Sequence, residues 1–107
     1  MALFKLFILA IFFFLTTTSC SRESAEILFK TGQDLWSKGE LERSLDNFKN
    51  IIEKYPASDL YDDALFKTGE LYYLSFNDFS NAIKYFQQLL LIDKARVKLK
   101  YQAQNYI

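Results

Sequence analysis

The spacing of hydrophobic residues divides this chain into three parts. Residues 6–15 form an unbroken apolar run, which is shorter than the roughly 20 apolar residues that a membrane-spanning helix needs. From residue 25 to residue 93, apolar residues recur every three or four positions, which is the period of an amphipathic helix. Residues 94–107 continue this period over one more short stretch. The pattern therefore predicts an all-α chain that follows an apolar leader.

The middle part is predicted to contain two pairs of helices. Breaks in the apolar pattern place the turns at residues 37–40 and 75–78. Asp78 or Ser80 is expected to cap the fourth helix, because either side chain can accept a hydrogen bond from a free backbone N–H. The apolar positions that carry the pattern are Leu28, Leu35 and Trp36; Leu41, Leu45, Phe48 and Ile52; Leu65, Phe66, Tyr72 and Tyr73; and Phe79, Ile83, Phe86 and Leu90.

The two helix pairs are copies of one repeat. The sequence LFKTG occurs at residues 28–32 and again at residues 65–69. Further along, Phe48 and Phe86 occupy matching positions, with one extra residue in the second copy. The alignment places this extra residue in the turn at residues 74–78. Internal repetition of this kind predicts a stack of helix pairs.

The first copy resembles the tetratricopeptide repeat, a helix pair about 34 residues long. The match rests on small residues where the two helices touch or turn, and on a proline that stops the second helix because it lacks an N–H. The resemblance implies a helix-turn-helix solenoid of about two repeats, at residues 25–58 and 59–93, with a C-terminal capping helix. The matching positions are Gly32, Gly39, Ser44 and Pro56 in the first copy, and Gly69 and Ala82 in the second.

Residues 94–107 are predicted to form a capping helix, or part of a third repeat. Ala95, Leu99, Ala103 and Ile107 are spaced by four and are expected to cover the end of the stack, as solenoids require. The segment holds basic residues and no acidic ones, whereas acidic residues outnumber basic ones between Cys20 and Asp93. This asymmetry indicates contact with an acidic partner or anionic headgroups, and a solvated helix face is the alternative. The candidate basic contacts are Lys94, Arg96, Lys98 and Lys100.

The resemblance also implies a groove for a peptide or a protein partner, lined by the first helix of each pair. Trp36 and Tyr73 are the candidate anchors, because large aromatic residues dominate binding energy at interfaces; core packing between helices is an equally weighted alternative. The lining lacks the basic cluster with which some members of the family clamp a C-terminal carboxylate. The groove positions are Glu26, Phe29, Gln33, Trp36 and Ser37, then Asp63, Phe66, Glu70, Tyr73 and Leu74.

Composition limits the chemistry of the chain. It has 107 residues, 13 basic and 13 acidic side chains, one cysteine and no histidine. Balanced charge does not match the basic excess of nucleic-acid binders. A histidine-dependent catalytic triad, a Cys/His zinc site and an internal disulfide are excluded. A catalytic carboxylate pair is the open alternative, since acidic residues are plentiful, but nothing in the sequence singles one out. We therefore expect a binding protein with no catalytic residue, no metal, no cofactor and no small-molecule substrate.

The leader has the three-part layout of a secretory signal peptide at residues 1–19. Lys5 precedes the apolar run, and small or polar residues follow it up to Ser19. The stretch before Cys20 resembles a bacterial lipoprotein signal, in which cleavage occurs before a lipid-modified cysteine. Acyl chains on Cys20 would hold the protein to a bilayer, with residues 20–24 as a linker. An uncleaved N-terminal anchor and a free thiol are the alternatives.

A narrower resemblance covers residues 48–73, FKNIIEKYPASDLYDDALFKTGELYY. This stretch is similar to the repeats of periplasmic tetratricopeptide proteins, above all the BamD family, the lipoprotein subunits of the outer-membrane β-barrel assembly machine. The marks are Phe48, Ile51, Ile52, Tyr55, Pro56, Ser58, Tyr61 and Ala64.

The BamD-like stretch and the leader imply a lipid-anchored outer-membrane protein that faces the periplasm and binds the barrel-forming subunit or its client proteins. Ser21 favours the outer membrane, because the residue after the cysteine is not the aspartate that retains such proteins at the inner membrane. A general tetratricopeptide adaptor in the cell envelope and a surface-displayed lipoprotein are the competing hypotheses.

Overall fold

The computed structural model describes residues 24–92 and 97–107, with the backbone alone at Val97. The signal peptide, Cys20, Lys94 and Arg96 lie outside the described residues. Every regular element in the described ranges is helical, which confirms the all-α prediction. The helices are α1 (Ala25–Ser37), α2 (Leu41–Lys54), α3 (Tyr61–Glu70), α4 (Phe79–Leu90) and α5 (Val97–Tyr106), and a π-helical segment (Leu71–Ser75) extends α3. None of the described helices is long and apolar enough to cross a membrane.

Side-chain caps fix the starts of α1 and α4. The Ser24 hydroxyl accepts a hydrogen bond from the backbone N–H of Ile27 at 3.3 Å. The Asp78 carboxylate accepts one from the N–H of Asn81 at 3.2 Å. Each cap satisfies an N–H that has no partner within its helix. Of the two caps considered for α4, Asp78 is therefore the one that the structure uses.

The two turns between paired helices use the same left-handed backbone conformation with different residues. Gly39 has φ 78° and Asn77 has φ 51°. Asparagine tolerates this region better than most side chains, since its short polar group bonds locally to the backbone. Asn77 thus takes the place of the turn glycine that the second copy lacks.

The extra residue of the second copy is accommodated by a wider helical turn. The N–H of Phe76 donates to the carbonyl of Leu71 at 3.1 Å, a bond that spans five residues in place of four. A single inserted residue in a helix commonly produces such a π-type bulge. The helical segment therefore runs to Ser75, and the turn begins one residue later than the position predicted from sequence.

Each helix pair closes on a glycine that faces a phenylalanine ring. A Cβ atom added to Gly32 would lie 2.9 Å from Cε1 of Phe48, and one added to Gly69 would lie 2.5 Å from Cε1 of Phe86. Both rings are fully buried. The absence of a side chain at each glycine is what lets the ring of the second helix reach the backbone of the first.

Ser44 adds a polar contact to the first helix pair. It is fully buried, and its hydroxyl donates to the carbonyl oxygen of Gly32 at 2.6 Å. The sequence predicts only that this position is small. The hydrogen bond explains why a polar hydroxyl is tolerated here, since a buried polar group needs a partner.

Replacing Ser44 with alanine is expected to lower the free energy of unfolding by about 0.5–1.5 kcal/mol, the net value of a typical intramolecular hydrogen bond. Ser37→Ala is the matched control, because its hydroxyl makes the same kind of bond to the carbonyl of Gln33 in an exposed position. Urea unfolding of both variants measures the difference. Equal effects at the two positions would contradict the role assigned to the buried bond.

Two apolar clusters form the core of the described residues. The first joins α1 and α2 to α3 and the π-helical segment, and the second joins α3 and α4 to α5. Phe48, Ile51 and Leu71 lie in the first, and Phe86 and Leu89 lie in the second. Half-buried Ile52 of α2 packs against both clusters and so joins the repeats.

Helix α5 covers the end of the second cluster. Ala103 is fully buried there and Leu99 packs against it, as predicted. Ile107 does not cover the stack, since it lies after the last turn of α5 and is 54% exposed. Ala95 lies outside the described residues.

Candidate functional site

The first helices of the repeats share one side of the molecule, which we call the inner face. It is formed by α1, α3 and α5. Helix α5 packs against α3, and the side chain of Trp36 on α1 reaches Lys67 on α3. Residues from neighbouring first helices therefore lie next to one another on this face.

A cavity of about 380 Å³ opens on the inner face between α1 and α3. Trp36, Gln33 and Ser37 line it from α1, and Lys67 and Glu70 line it from α3. We call it the Trp36 pocket. Four of the groove residues predicted from sequence are thus brought together here: Gln33, Trp36, Ser37 and Glu70.

Lys67 lies between an aromatic ring and a carboxylate in this pocket. Its ammonium nitrogen is 5.4 Å from the centroid of the Trp36 ring and 3.4 Å from Oε1 of Glu70. The side chain of Lys67 is 31% exposed and that of Glu70 is 16% exposed. Partial burial makes both attractions stronger than they would be in open solvent.

Tyr106 of α5 holds the other carboxylate oxygen of Glu70. Its hydroxyl donates to Oε2 of Glu70 at 3.5 Å. Burial raises the pKa of the Tyr106 phenol above its usual value, and the nearby charge of Glu70 raises it further. The phenol therefore stays protonated and remains a donor at neutral pH, which helps to fix the orientation of Glu70 in the Trp36 pocket.

Helix α5 also covers side chains of the second repeat on the inner face, through the ring of Tyr106. The Tyr106 ring lies 6.4 Å from the ring of Phe66, 4.8 Å from Tyr73 and 5.0 Å from Phe86, measured between centroids. Phe66 is buried at 7% exposure. The structure therefore places Phe66 in the core, where α5 covers it, and not on an open groove.

The other predicted groove residues differ in exposure. Glu26 is exposed, and Asp63 is half-buried in the first turn of α3. Half-buried Phe29 packs edge-on against Phe48 at 5.4 Å, and half-buried Tyr73 packs edge-on against Phe79 at 4.9 Å. Phe29 and Tyr73 thus serve both as packing residues and as part of the inner face.

Of the four basic residues predicted as contacts, the structure describes two. Lys98 is exposed and Lys100 is half-buried on α5. No group of histidine, cysteine, aspartate and glutamate side chains within residues 24–92 and 97–107 could hold a metal ion.

Two residues of the site were missed from sequence, Lys67 and Tyr106. Lys67 carries a detectable signal, since it precedes Glu70 by three positions and such pairs meet on a helix surface. Tyr106 carries no such signal. Its contact with Glu70 depends on how α5 packs against α3, which local spacing does not define.

A comparison with known protein families finds a match to this chain. The family model described as tetratricopeptide repeat matches residues 26–58 and residues 63–92. The first segment covers α1 and α2, and the second covers most of α3 and all of α4. No curated protein matches the chain.

Proposed function

Because the chain belongs to the tetratricopeptide repeat family, we propose that it is a non-catalytic, lipid-anchored subunit of the machinery that assembles outer-membrane proteins. Domains of this family are typically protein-interaction modules without catalytic activity, so the chain has protein partners. The more specific proposal is that these partners are the barrel-forming subunit, its client proteins or both.

The observation that carries the interaction role is the partly exposed aromatic surface of the inner face. Trp36 and Tyr73 are both half-buried there. Glu70 lines the Trp36 pocket and precedes Tyr73 by three positions. Side chains that combine a large apolar body with an accessible edge are the usual anchors of protein interfaces. The inner face is therefore the surface on which we place the partner.

The assembly-machine assignment is supported by two features of the sequence. Residues 48–73 are similar to the repeats of the BamD family. The repeats also begin shortly after Cys20, so the lipid would hold the first repeat close to the membrane surface. Anchoring at a membrane raises the effective concentration of partners in that membrane, which strengthens weak contacts without any new interaction.

Replacing Cys20 with alanine is expected to release the protein from membranes, because the acyl chains would have no attachment point. Cell fractionation followed by immunoblotting measures the loss. Ser21→Ala is the matched control and should leave the protein in the membrane fraction. The same blot compares the size of the parent chain with that of the Cys20→Ala protein. A parent chain that keeps its leader, equal in size to a Cys20→Ala protein retained in the membrane, would favour the uncleaved anchor over the lipid.

The partner is tested by purifying a tagged copy from native membranes in mild detergent and identifying what accompanies it. Recovery of a large outer-membrane β-barrel protein with periplasmic repeat domains, in near-equal amount, is the expected result. Recovery of unrelated envelope proteins would support the more general role of an envelope adaptor. Protease added to intact cells separates both from a surface-displayed protein, since a periplasmic chain should stay intact.

A further inference from the structure

We propose that the Trp36 pocket is a receptor for an arginine side chain on an extended segment of the protein partner. This inference rests on the proposed function, because it takes the inner face as the binding surface. It adds the chemical identity of one contact on that surface.

The free protein contains a cation already bound in this pocket. The Lys67 ammonium occupies a position over the Trp36 ring and beside Glu70. An aromatic face together with a carboxylate is a combination that attracts cations in general. Lys67 therefore acts as an internal ligand and shows which kind of group the pocket accepts.

An arginine from a partner has chemical advantages over Lys67. A guanidinium group stacks flat on an aromatic ring and donates several hydrogen bonds at once, whereas an ammonium group is compact and more strongly hydrated. The carboxylate of Glu70 can accept from a guanidinium, and so can the exposed amide oxygen of Gln33. Lys67 is 31% exposed and can swing into solvent when it is replaced.

The rest of the site is arranged to keep Glu70 available for this exchange. Tyr106 binds one carboxylate oxygen of Glu70, at 3.5 Å, and Lys67 binds the other, at 3.4 Å. Displacing Lys67 frees the second oxygen while Tyr106 still holds the first. The incoming cation thus meets a carboxylate that is already oriented.

The test uses the full chain, labelled with ¹⁵N and purified in mild detergent. Trp36 is the only tryptophan, so its indole N–H gives a single side-chain signal that reports directly on the pocket. The probe is N-acetyl-arginine amide, and the neutral control is the citrulline analogue, which has nearly the same shape. We expect the arginine compound to shift the indole signal in a saturable way, and the citrulline compound to leave it nearly unchanged.

Two variants make the test specific to the exchange. Lys67→Met empties the pocket of its internal cation and is expected to tighten binding of the arginine compound about fivefold. Glu70→Gln keeps an acceptor for Tyr106 and removes the charge, so it is expected to weaken binding by a similar factor. Lys30→Met is the matched control, since Lys30 occupies the same repeat position on α1 and is exposed; its affinity should equal that of the parent chain.

Equal shifts with the arginine and citrulline compounds, or unchanged affinity in the Lys67→Met protein, would overturn the proposal. The result is independent of the partner purification described above. Recovery of the barrel-forming subunit without arginine binding would leave the proposed function in place and remove the pocket assignment. Arginine binding without recovery of that subunit would support the pocket assignment and remove the proposed role in the assembly machinery.

Discussion

Replacing Phe86 with alanine is expected to lower the free energy of unfolding by about 3–5 kcal/mol, the usual cost of removing a buried phenylalanine side chain. Phe86 is fully buried. Its ring lies 5.8 Å from Phe66 on α3 and 5.0 Å from Tyr106 on α5, between centroids. The ring therefore joins three helices, and its loss creates a cavity at the point where the second repeat meets the capping helix.

Phe79→Ala is the matched control for this prediction. Phe79 lies on the same helix and is 50% exposed. Its edge-on contact with Tyr73 is worth about 0.5–1.5 kcal/mol, so its truncation should cost clearly less than that of Phe86. Urea unfolding followed by circular dichroism measures both variants. Small domains are stable by only about 5–15 kcal/mol, so the loss expected for Phe86→Ala is a large part of the total. Phe86→Leu provides a milder change at the same site for the case in which the Phe86→Ala protein does not fold. A stability equal to that of the parent chain in both Phe86 variants would contradict the assigned packing.

The helix pairs could be predicted from sequence because their determinants are local. Apolar residues repeat at helical spacing, and small residues mark the contact within each pair, as at Gly32 and Gly69. The sequence match between the two copies gave a second, independent reason to predict two helix pairs. The same local chemistry limited the cap of α4 to Asp78 or Ser80, and the structure uses Asp78.

The details of the second repeat required the structure. Asn77 replaces a turn glycine, and the π-helical segment absorbs the inserted residue before the turn. Sequence shows that one residue is extra, but local spacing does not define whether the helix or the turn takes it up. The structure places the wider turn at Leu71–Ser75, which begins with a fully buried leucine.

Only part of the candidate site could be predicted from sequence, because repeat positions define a face but not the packing of a later helix on it. Gln33, Trp36 and Glu70 were assigned to one face from their repeat positions, and the structure brings them together around one pocket. Phe66 was placed on an open surface because repeat positions do not show whether a later helix covers them. Tyr106 lies 36 positions from Glu70 in sequence, and only the packing of α5 brings the two together.

The second large effect on stability is expected at Gly69, because there is less space beside it than beside Gly32. Gly69→Ala is expected to lower the free energy of unfolding by about 1–3 kcal/mol through overpacking. The added Cβ would lie 2.5 Å from one atom of the Phe86 ring and 2.8 Å from two others. That ring cannot move away easily, because it is stacked on Tyr106 with an interplanar angle of 7°.

Gly32→Ala is the matched comparison, because its Cβ would lie 2.9 Å from the Phe48 ring and the overlap is smaller. Alanine's helix preference of about 1 kcal/mol over glycine favours both substitutions alike, so Gly32→Ala should cost less than Gly69→Ala. A double-mutant cycle identifies the cause. Phe86→Leu removes the ring atoms that the new methyl group meets, so Gly69→Ala should cost much less in that background, with an interaction energy of at least about 0.5 kcal/mol. Equal costs of Gly69→Ala in both backgrounds would mean that the clash with Phe86 is not what makes glycine necessary at this position.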